Sequence, residues 1–181
     1  MMRIKRGFRA WWLVAGAVFG LLVGLTAGCG VLGVRNENGN NQTMKTLNEQ
    51  QANQRAEEHI QRAVAAVFSP PPRLERDLFL TSDCTDPTDF GPQGRVQVSR
   101  NYWLRDLPKE RNREYFDKIY DYWTRNGYRV LKDDRANPKN PGLFVEHNDD
   151  AFRMTLYSSV EGDLSLSVTS PCIWPTGEPT P

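Results

Sequence analysis

The first 29 residues most restrict how this chain folds, because they have the layout of an export signal rather than of a globular segment. An uncharged stretch begins at residue 10 and follows four cationic residues, Arg3, Lys5, Arg6 and Arg9. A basic region, an apolar region and small residues before a cleavage point are typical of secretory signal peptides. We therefore exclude residues 1–28 from the folded domain and expect the rest of the chain to lie outside the cytoplasm.

The apolar stretch ends in the sequence LTAGC, in which the cysteine is Cys29. This sequence resembles the lipobox of bacterial lipoproteins, where lipid is attached to the cysteine thiol and a dedicated peptidase cuts just before it. The resemblance implies a mature protein that begins at Cys29 and is held by acyl chains on the extracytoplasmic face of the cell membrane. Residues 1–28 are then the signal peptide, and residues 29–43 carry the lipidated cysteine and a flexible polar tether.

An uncleaved membrane anchor is the alternative interpretation of this segment. Residues 10–34 carry no charge, and about 20 apolar residues suffice to span a bilayer. Thr26 also stands where a lipobox more often has an aliphatic residue. Glycines at every fourth position would form a smooth stripe for packing against other transmembrane helices, namely Gly16, Gly20, Gly24 and Gly28. Both interpretations keep the N-terminus in the cytoplasm, because the cationic residues precede the apolar run.

The chain has three cysteines, an odd number that lipidation of Cys29 reduces to one pair. An oxidising compartment favours a disulfide between the other two, Cys84 and Cys172. Metal ligation is the alternative, but neither cysteine has another cysteine or a histidine at ligand spacing, and two thiolates do not complete a tetrahedral site. We therefore predict one disulfide, no metal centre and no cofactor.

Charge and length restrict the partners and the number of domains. Removal of residues 1–28 changes the formal charge from +1 to −3, because four cationic and no acidic residues lie there. This balance lacks the basic footprint of a nucleic-acid-binding protein. The expected partners are the membrane, through the anchor, and an envelope protein, polysaccharide or lipid. We place a single domain at residues 44–174, followed by a disordered, proline-rich tail at 175–181.

Hydrophobic periodicity predicts an α+β domain with the order α-β-β-α-β-β-β. One helix spans residues 44–68 and ends at the SPPP sequence of residues 69–72, and the other spans residues 109–126. Short turns between the late strands indicate an antiparallel sheet of about five strands with both helices packed on one face. The strands are predicted at residues 74–80, 95–104, 128–132, 142–146 with a turn into 152–156, and 164–168.

The chain has two histidines, and we predict that neither belongs to a metal site. His59 lies beside Glu57 and Glu58 in the first helix, where a solvated surface position is expected. His147 is flanked by the most acidic cluster of the domain, whose oxygens suit a hard cation such as calcium, but the spacing does not match an EF-hand loop. Cation binding at this turn stays an alternative to a plain acidic turn.

No sequence motif for a catalytic nucleophile, a zinc protease or a phosphate-binding loop is present, which favours a protein that is not an enzyme. Aromatic residues are concentrated within residues 102–128 and offer another kind of site. Tyr115 and Tyr122 lie off the centre of the second helix's apolar stripe, where they could line a binding face for a sugar, a lipid or a partner protein. The alternative is that both belong to the core and its boundary.

The layout of the whole chain resembles the small cell-envelope lipoproteins of actinobacteria, including the mycobacterial LppA-type group. The resemblance rests on LTAGC, a polar tether, a leading helix, SDCTDP around Cys84, a helix ending in NGY and the closing SPC at Cys172. It implies an envelope lipoprotein of a group that largely lacks an assigned activity. We expect a non-enzymatic binding module. The alternatives are a membrane-tethered cell-wall hydrolase and a single-span subunit assembled through its glycine stripe.

Overall fold

The structure is a computed structural model that describes residues 46–84 and 91–179. The predicted signal peptide, Cys29, the glycine stripe and the tether all lie outside the described residues. Within the described ranges, no helix is both long and apolar enough to cross a membrane.

The first helix, α1, spans Glu49–Val67 and begins with a capping box. The side chain of Asn48 accepts a hydrogen bond from the backbone of Gln51, and the side chain of Gln51 accepts one from the backbone of Asn48. These bonds satisfy two backbone donors that the first turn would otherwise leave unpaired. One face is buried, and it consists mostly of small and aliphatic residues: Ala52, Ala56, His59, Ile60, Ala63, Val64 and Val67.

The second helix, α2, spans Asn112–Arg125 and is preceded by a 3-10 turn at Lys109–Arg111. It ends where the backbone of Gly127 turns to a positive φ of 82°, which glycine adopts without the penalty that a Cβ brings. Its buried stripe repeats at helical spacing and consists of Tyr115, Phe116, Ile119 and Trp123.

Six antiparallel strands form one sheet with the order β1-β2-β6-β5-β4-β3. The α+β class predicted from the sequence is confirmed, with one strand more than predicted. The additional strand arises because residues 142–156 form two strands of a hairpin, joined by a turn in which Ala151 has a positive φ of 56°. The strands are β1 (Arg73–Asp83), β2 (Val96–Arg105), β3 (Tyr128–Asp133), β4 (Gly142–His147), β5 (Arg153–Ser158) and β6 (Leu164–Thr169).

One face of the sheet is covered by the two helices, and the other face is open. Helix α1 packs on β2 and β6, whereas α2 packs on β3 and β4. Side chains alternate between the two faces along each strand, so the buried apolar residues of β4, β5 and β6 lie at every second position. The covered face contributes the buried residues Val98, Leu104, Leu143, Val145, Met154, Leu156, Leu164, Leu166 and Val168.

A disulfide joins Cys84, just after β1, to Cys172, just after β6, with 5.5 Å between the two Cα atoms. The predicted pairing is therefore confirmed. Beside it, Val96 forms an isolated antiparallel bridge with Ile173. The disulfide thus ties the outer strand β1 to the segment that follows the central strand β6.

The segment after the disulfide returns to the start of α1. The backbone N–H of Trp174 donates to the hydroxyl of Thr46, and the N–H of Glu49 donates to the carbonyl of Pro175. The N–H of Thr46 in turn donates to the carbonyl of Gly177. Pro175 and Gly177 belong to the segment that we predict as a disordered tail, and their backbone carbonyls serve the first turn of the helix.

Candidate functional site

The open face of the sheet carries aromatic side chains on strands that are not adjacent. In the register, Trp103 of β2 and Tyr157 of β5 each pair with Ser165 of the intervening strand β6. Directly paired residues point to the same face, so the two aromatic residues flank the serine. Both are partly exposed, whereas Ser165 is buried.

A third aromatic ring, that of Phe144, extends this row. Phe144 lies two residues from Gly142, and Gly142 pairs with Tyr157. A Cβ placed on Gly142 would come within 3.0 Å of the Phe144 ring and 3.7 Å of the Tyr157 ring. The Phe144 ring therefore lies over the backbone of Gly142, in space that a side chain at this position would need.

The centre of the open face carries hydroxyl and amide side chains that are hydrogen-bonded to their neighbours. The hydroxyls of Ser99 and Thr169 lie 3.1 Å apart across β2 and β6. The hydroxyl of Ser167 donates to the side-chain oxygen of Asn101 at 2.6 Å. Asn101 in turn donates to the carboxylate of Asp77 on β1. These bonds fix the orientation of hydroxyl and amide groups on a surface that the helices leave uncovered.

One acidic residue on this face, Glu146, is held between two arginines. The Glu146 carboxylate accepts hydrogen bonds from Arg129 at 2.6 Å and from Arg153 at 2.9 Å. Burial would raise the pKa of Glu146, but the two arginine hydrogen bonds outweigh it and lower the pKa below its usual value. Glu146 is therefore ionised at neutral pH and already neutralised by its partners.

On the covered face, both histidines meet the carboxylate of Asp150 at the turn of the β4–β5 hairpin. His59 Nε2 lies 3.1 Å from Asp150 Oδ2, and His147 Nδ1 lies 2.8 Å from Asp150 Oδ1. The other ring nitrogen of His59, Nδ1, lies 2.5 Å from the hydroxyl of Tyr128. We call these four residues, His59, His147, Asp150 and Tyr128, the histidine cluster.

Burial and the contacts within the histidine cluster determine which of its side chains are charged. Burial lowers the pKa of His59, and this effect exceeds the opposing attraction of Asp150. Burial alone would raise the pKa of Asp150, but the two imidazoles outweigh it and lower this pKa. A neutral His59 beside an ionised Asp150 donates from Nε2 to the carboxylate and accepts at Nδ1 from the Tyr128 hydroxyl.

The prediction that His59 is a solvated surface residue is wrong, since only 2% of it is exposed. The acidic neighbours Glu57 and Glu58 indicate a solvent-exposed position. However, a helix turns by about 100° per residue, so residues adjacent in sequence lie on different faces of the helix. The missed signal is its spacing. His59 lies three residues after Ala56 and four before Ala63, on the apolar stripe itself.

The acidic run around His147 is divided by the hairpin. Glu146 points to the open face, where the two arginines hold it, and Asn148 and Asp149 are exposed in the turn. Asp150 alone turns back to His147. The oxygens of the run therefore do not converge on one point, and a calcium site made from the run as a whole does not form.

Tyr115 and Tyr122, the candidate binding face on α2, are placed differently from each other. Tyr115 is 4% exposed, and its ring packs 5.1 Å from that of Phe68. Tyr122 is partly buried against the core, and burial raises the pKa of its hydroxyl. Tyr115 therefore contributes to the core, while Tyr122 lies at the boundary.

A cleft of about 660 Å³ between α2 and the loop after β3 contains two carboxylates, Asp117 and Asp133. Both are bound by Arg135, each with an oxygen 2.8 Å from a guanidinium nitrogen. The hydrogen bond from Arg135 lowers the pKa of Asp133. The general acid of a glycoside hydrolase is a carboxyl group with a raised pKa, and the change at Asp133 is in the opposite direction.

No known protein family, curated protein or solved structure matches this chain.

Proposed function

We propose that this protein is a lipid-anchored component of the cell envelope whose domain is a non-enzymatic binding module for a neutral polysaccharide. The observation that carries the proposal is the open face of the sheet. There, Trp103 and Tyr157 flank a strand whose hydroxyl groups are hydrogen-bonded to neighbouring polar side chains. The guanidinium group of Arg105 lies 5.1 Å from the centre of the Trp103 ring.

The disulfide supports the location. Structural disulfides persist in oxidising compartments and are rare in the reducing cytosol. The Cys84–Cys172 bond uses two of the three cysteines, which leaves Cys29 as the one thiol for lipid attachment. The export signal and the disulfide therefore indicate the same side of the membrane.

The chemistry of the open face favours a polysaccharide as the ligand. A sugar ring presents an apolar face, which stacks on an aromatic ring, and hydroxyls at its edge, which need hydrogen-bond partners. Trp103 and Tyr157 are two strands apart, which corresponds to about 9–10 Å and is close to the length of a disaccharide unit. Ser165, Ser167 and Thr169 lie on the strand between them.

The charges of this face favour a neutral chain over a charged one. Glu146 is neutralised by Arg129 and Arg153, and Glu75 at the other side of the face accepts a hydrogen bond from Arg105. Because the carboxylates of Glu146 and Glu75 already have cationic partners, a charged ligand would have to displace an existing ion pair to reach either of them. A neutral ligand requires no such exchange.

The anchor is tested by the intact mass and membrane partitioning of the full chain made in an actinobacterial host, beside a Cys29→Ala variant. We expect the wild-type mass to correspond to a chain that begins at acylated Cys29 and stays with the membrane. The Cys29→Ala variant should carry no lipid and should retain its signal peptide. A full-length mass in both proteins would contradict the lipoprotein proposal and identify a transmembrane anchor.

The binding face is tested with protein-free, delipidated wall polysaccharide from the same host. We expect the wild-type protein to cosediment with it, and oligosaccharides released from it to change the tryptophan fluorescence. Trp103→Ala and Tyr157→Ala should each weaken binding about tenfold, which corresponds to about 1.4 kcal/mol.

Phe79→Ala is the matched control for this test. Phe79, like Trp103 and Tyr157, is a partly buried aromatic residue of the sheet, but it lies on the outer strand β1 and on the covered side, where the guanidinium groups of Arg76 and Arg100 lie over its ring. This variant should bind as the wild type does. Unchanged binding by Trp103→Ala and Tyr157→Ala, or no binding by the wild type, would contradict the proposal.

A further inference from the structure

We propose that His59, His147 and Asp150 form a binding site for one divalent transition-metal ion, with Zn²⁺ as the best match. The site lies on the covered side of the sheet and does not depend on the polysaccharide proposal, which concerns the opposite face.

The three residues come from two separate parts of the chain and offer their ligand atoms toward one another. His59 comes from α1, His147 from the end of β4 and Asp150 from the turn that follows. One ligand atom of each lies within 4.8 Å of those of the other two. Two imidazole nitrogens and a carboxylate oxygen are a ligand set that zinc proteins use when one coordination position is left for water or another ligand.

Burial divides the site into a closed inner side and an accessible outer side. The His59 side chain is 2% exposed, while those of His147 and Asp150 are 19% and 23% exposed. An ion can therefore enter from the hairpin turn and meet His59 at the bottom. At a zinc–ligand distance of about 2.0–2.2 Å, the widest separation between the ligand atoms, which is up to 4.8 Å, has to shorten, and rotations at the partly exposed His147 and Asp150 can supply this change.

Tyr128 has the placement of an outer-shell partner. Metal-bound histidines commonly use their second ring nitrogen in a hydrogen bond that fixes the tautomer and the ring orientation. The Tyr128 hydroxyl lies 2.5 Å from His59 Nδ1, the nitrogen that does not face Asp150. With Nε2 bound to an ion, Nδ1–H would donate to the tyrosine oxygen.

The donor types favour zinc over calcium. Calcium takes six to eight oxygen ligands, whereas imidazole nitrogens suit Zn²⁺, Cu²⁺ and Ni²⁺. The opposing feature is Arg55, whose Nε lies 3.8 Å from Asp150 Oδ2. This side chain is 41% exposed, so it can turn to solvent when an ion takes its place.

The experiment is a titration of the metal-free full chain in detergent, with ZnCl₂ followed by calorimetry and CoCl₂ followed by visible absorption. We expect one ion per chain, and a Co²⁺ spectrum with d–d bands in the range typical of low-coordinate nitrogen and oxygen ligation. His147→Gln and Asp150→Asn should each weaken zinc binding at least tenfold. Tyr128→Phe should weaken it about 10–100-fold, the usual effect of losing an outer-shell partner.

Asp149→Asn is the matched control, because Asp149 precedes Asp150 in the same turn but is exposed and outside the histidine cluster. It should bind zinc as the wild type does. Thermal unfolding without zinc establishes that each variant is folded. If Asp150→Asn does not fold, the comparison with the wild type is made with His147→Gln. Absence of binding by the wild type, or equal binding by the wild type and a folded His147→Gln or Asp150→Asn variant, would overturn the proposal. Either result leaves the polysaccharide test unaffected.

Discussion

Replacing Trp123 by alanine is expected to lower the free energy of unfolding by about 3–5 kcal/mol, the range for truncation of a large aromatic residue in a core. The Trp123 side chain is fully buried on α2, and its ring lies 6.1 Å from that of Tyr128. Truncation removes most of this contact area and leaves a cavity that a helix held on a sheet cannot fully close. Chemical denaturation of wild type and variant, followed by circular dichroism, measures the difference.

Two further variants separate packing from other effects of the change. The indole nitrogen of Trp123 has no hydrogen-bond partner among the described residues, so Trp123→Phe loses volume but no hydrogen bond and should cost less than the alanine variant. Val160→Ala, at a turn position that is 73% exposed, should change stability by less than about 0.5 kcal/mol. A loss below about 1 kcal/mol for Trp123→Ala would contradict the core position.

Loss of the disulfide is expected to have an effect of similar size. Cys84 and Cys172 are 88 residues apart in sequence, and for a loop of this length the chain-entropy account gives about 4–5 kcal/mol as an upper value. We expect the double variant Cys84→Ser/Cys172→Ser to be about 2–5 kcal/mol less stable than the oxidised wild type. The physical reason is that the open chain gains more conformational entropy on unfolding.

Chemical reduction of the wild type provides an independent test of the disulfide's contribution to stability. A thiol reductant should lower the unfolding midpoint of the wild type to near that of the double variant, while leaving the double variant unchanged. Thiol counting on the unreduced, denatured wild type should find neither Cys84 nor Cys172 free. Two free sulfhydryls at these positions would contradict the disulfide.

Local sequence patterns predict the helices and strands of this fold. Both helices lie where apolar residues repeat at helical spacing, and α1 ends before the proline run at residues 70–72. Gly127 marks the end of α2, because the backbone there needs a positive φ. Each of these signals involves residues within a few positions of one another. The predicted strand count was one too low, because the segments on either side of the predicted turn at residues 148–150 each form a separate strand, β4 and β5.

The candidate sites required the tertiary structure. Trp103 and Tyr157 are far apart in sequence and become neighbours across β6 only through the pairing of β2 with β6 and of β6 with β5. No local pattern specifies that strand order. The concentration of aromatic residues around α2 instead suggested Tyr115 as part of a binding face, and that residue is buried.

The sequence by itself determined the helices, the general positions of the strands, the α+β class and the disulfide pair, because helical and strand periodicity and the cysteine count are properties of short segments and of composition. The tertiary structure alone decided which side chains meet. His59 and Asp150 are 91 residues apart in sequence, and His59 Nε2 lies 3.1 Å from Asp150 Oδ2. They meet because His59 of α1 packs against residues at the turn of the β4–β5 hairpin. Packing of that kind depends on the order of the strands and on which face the helices cover, and local periodicity carries no information about either.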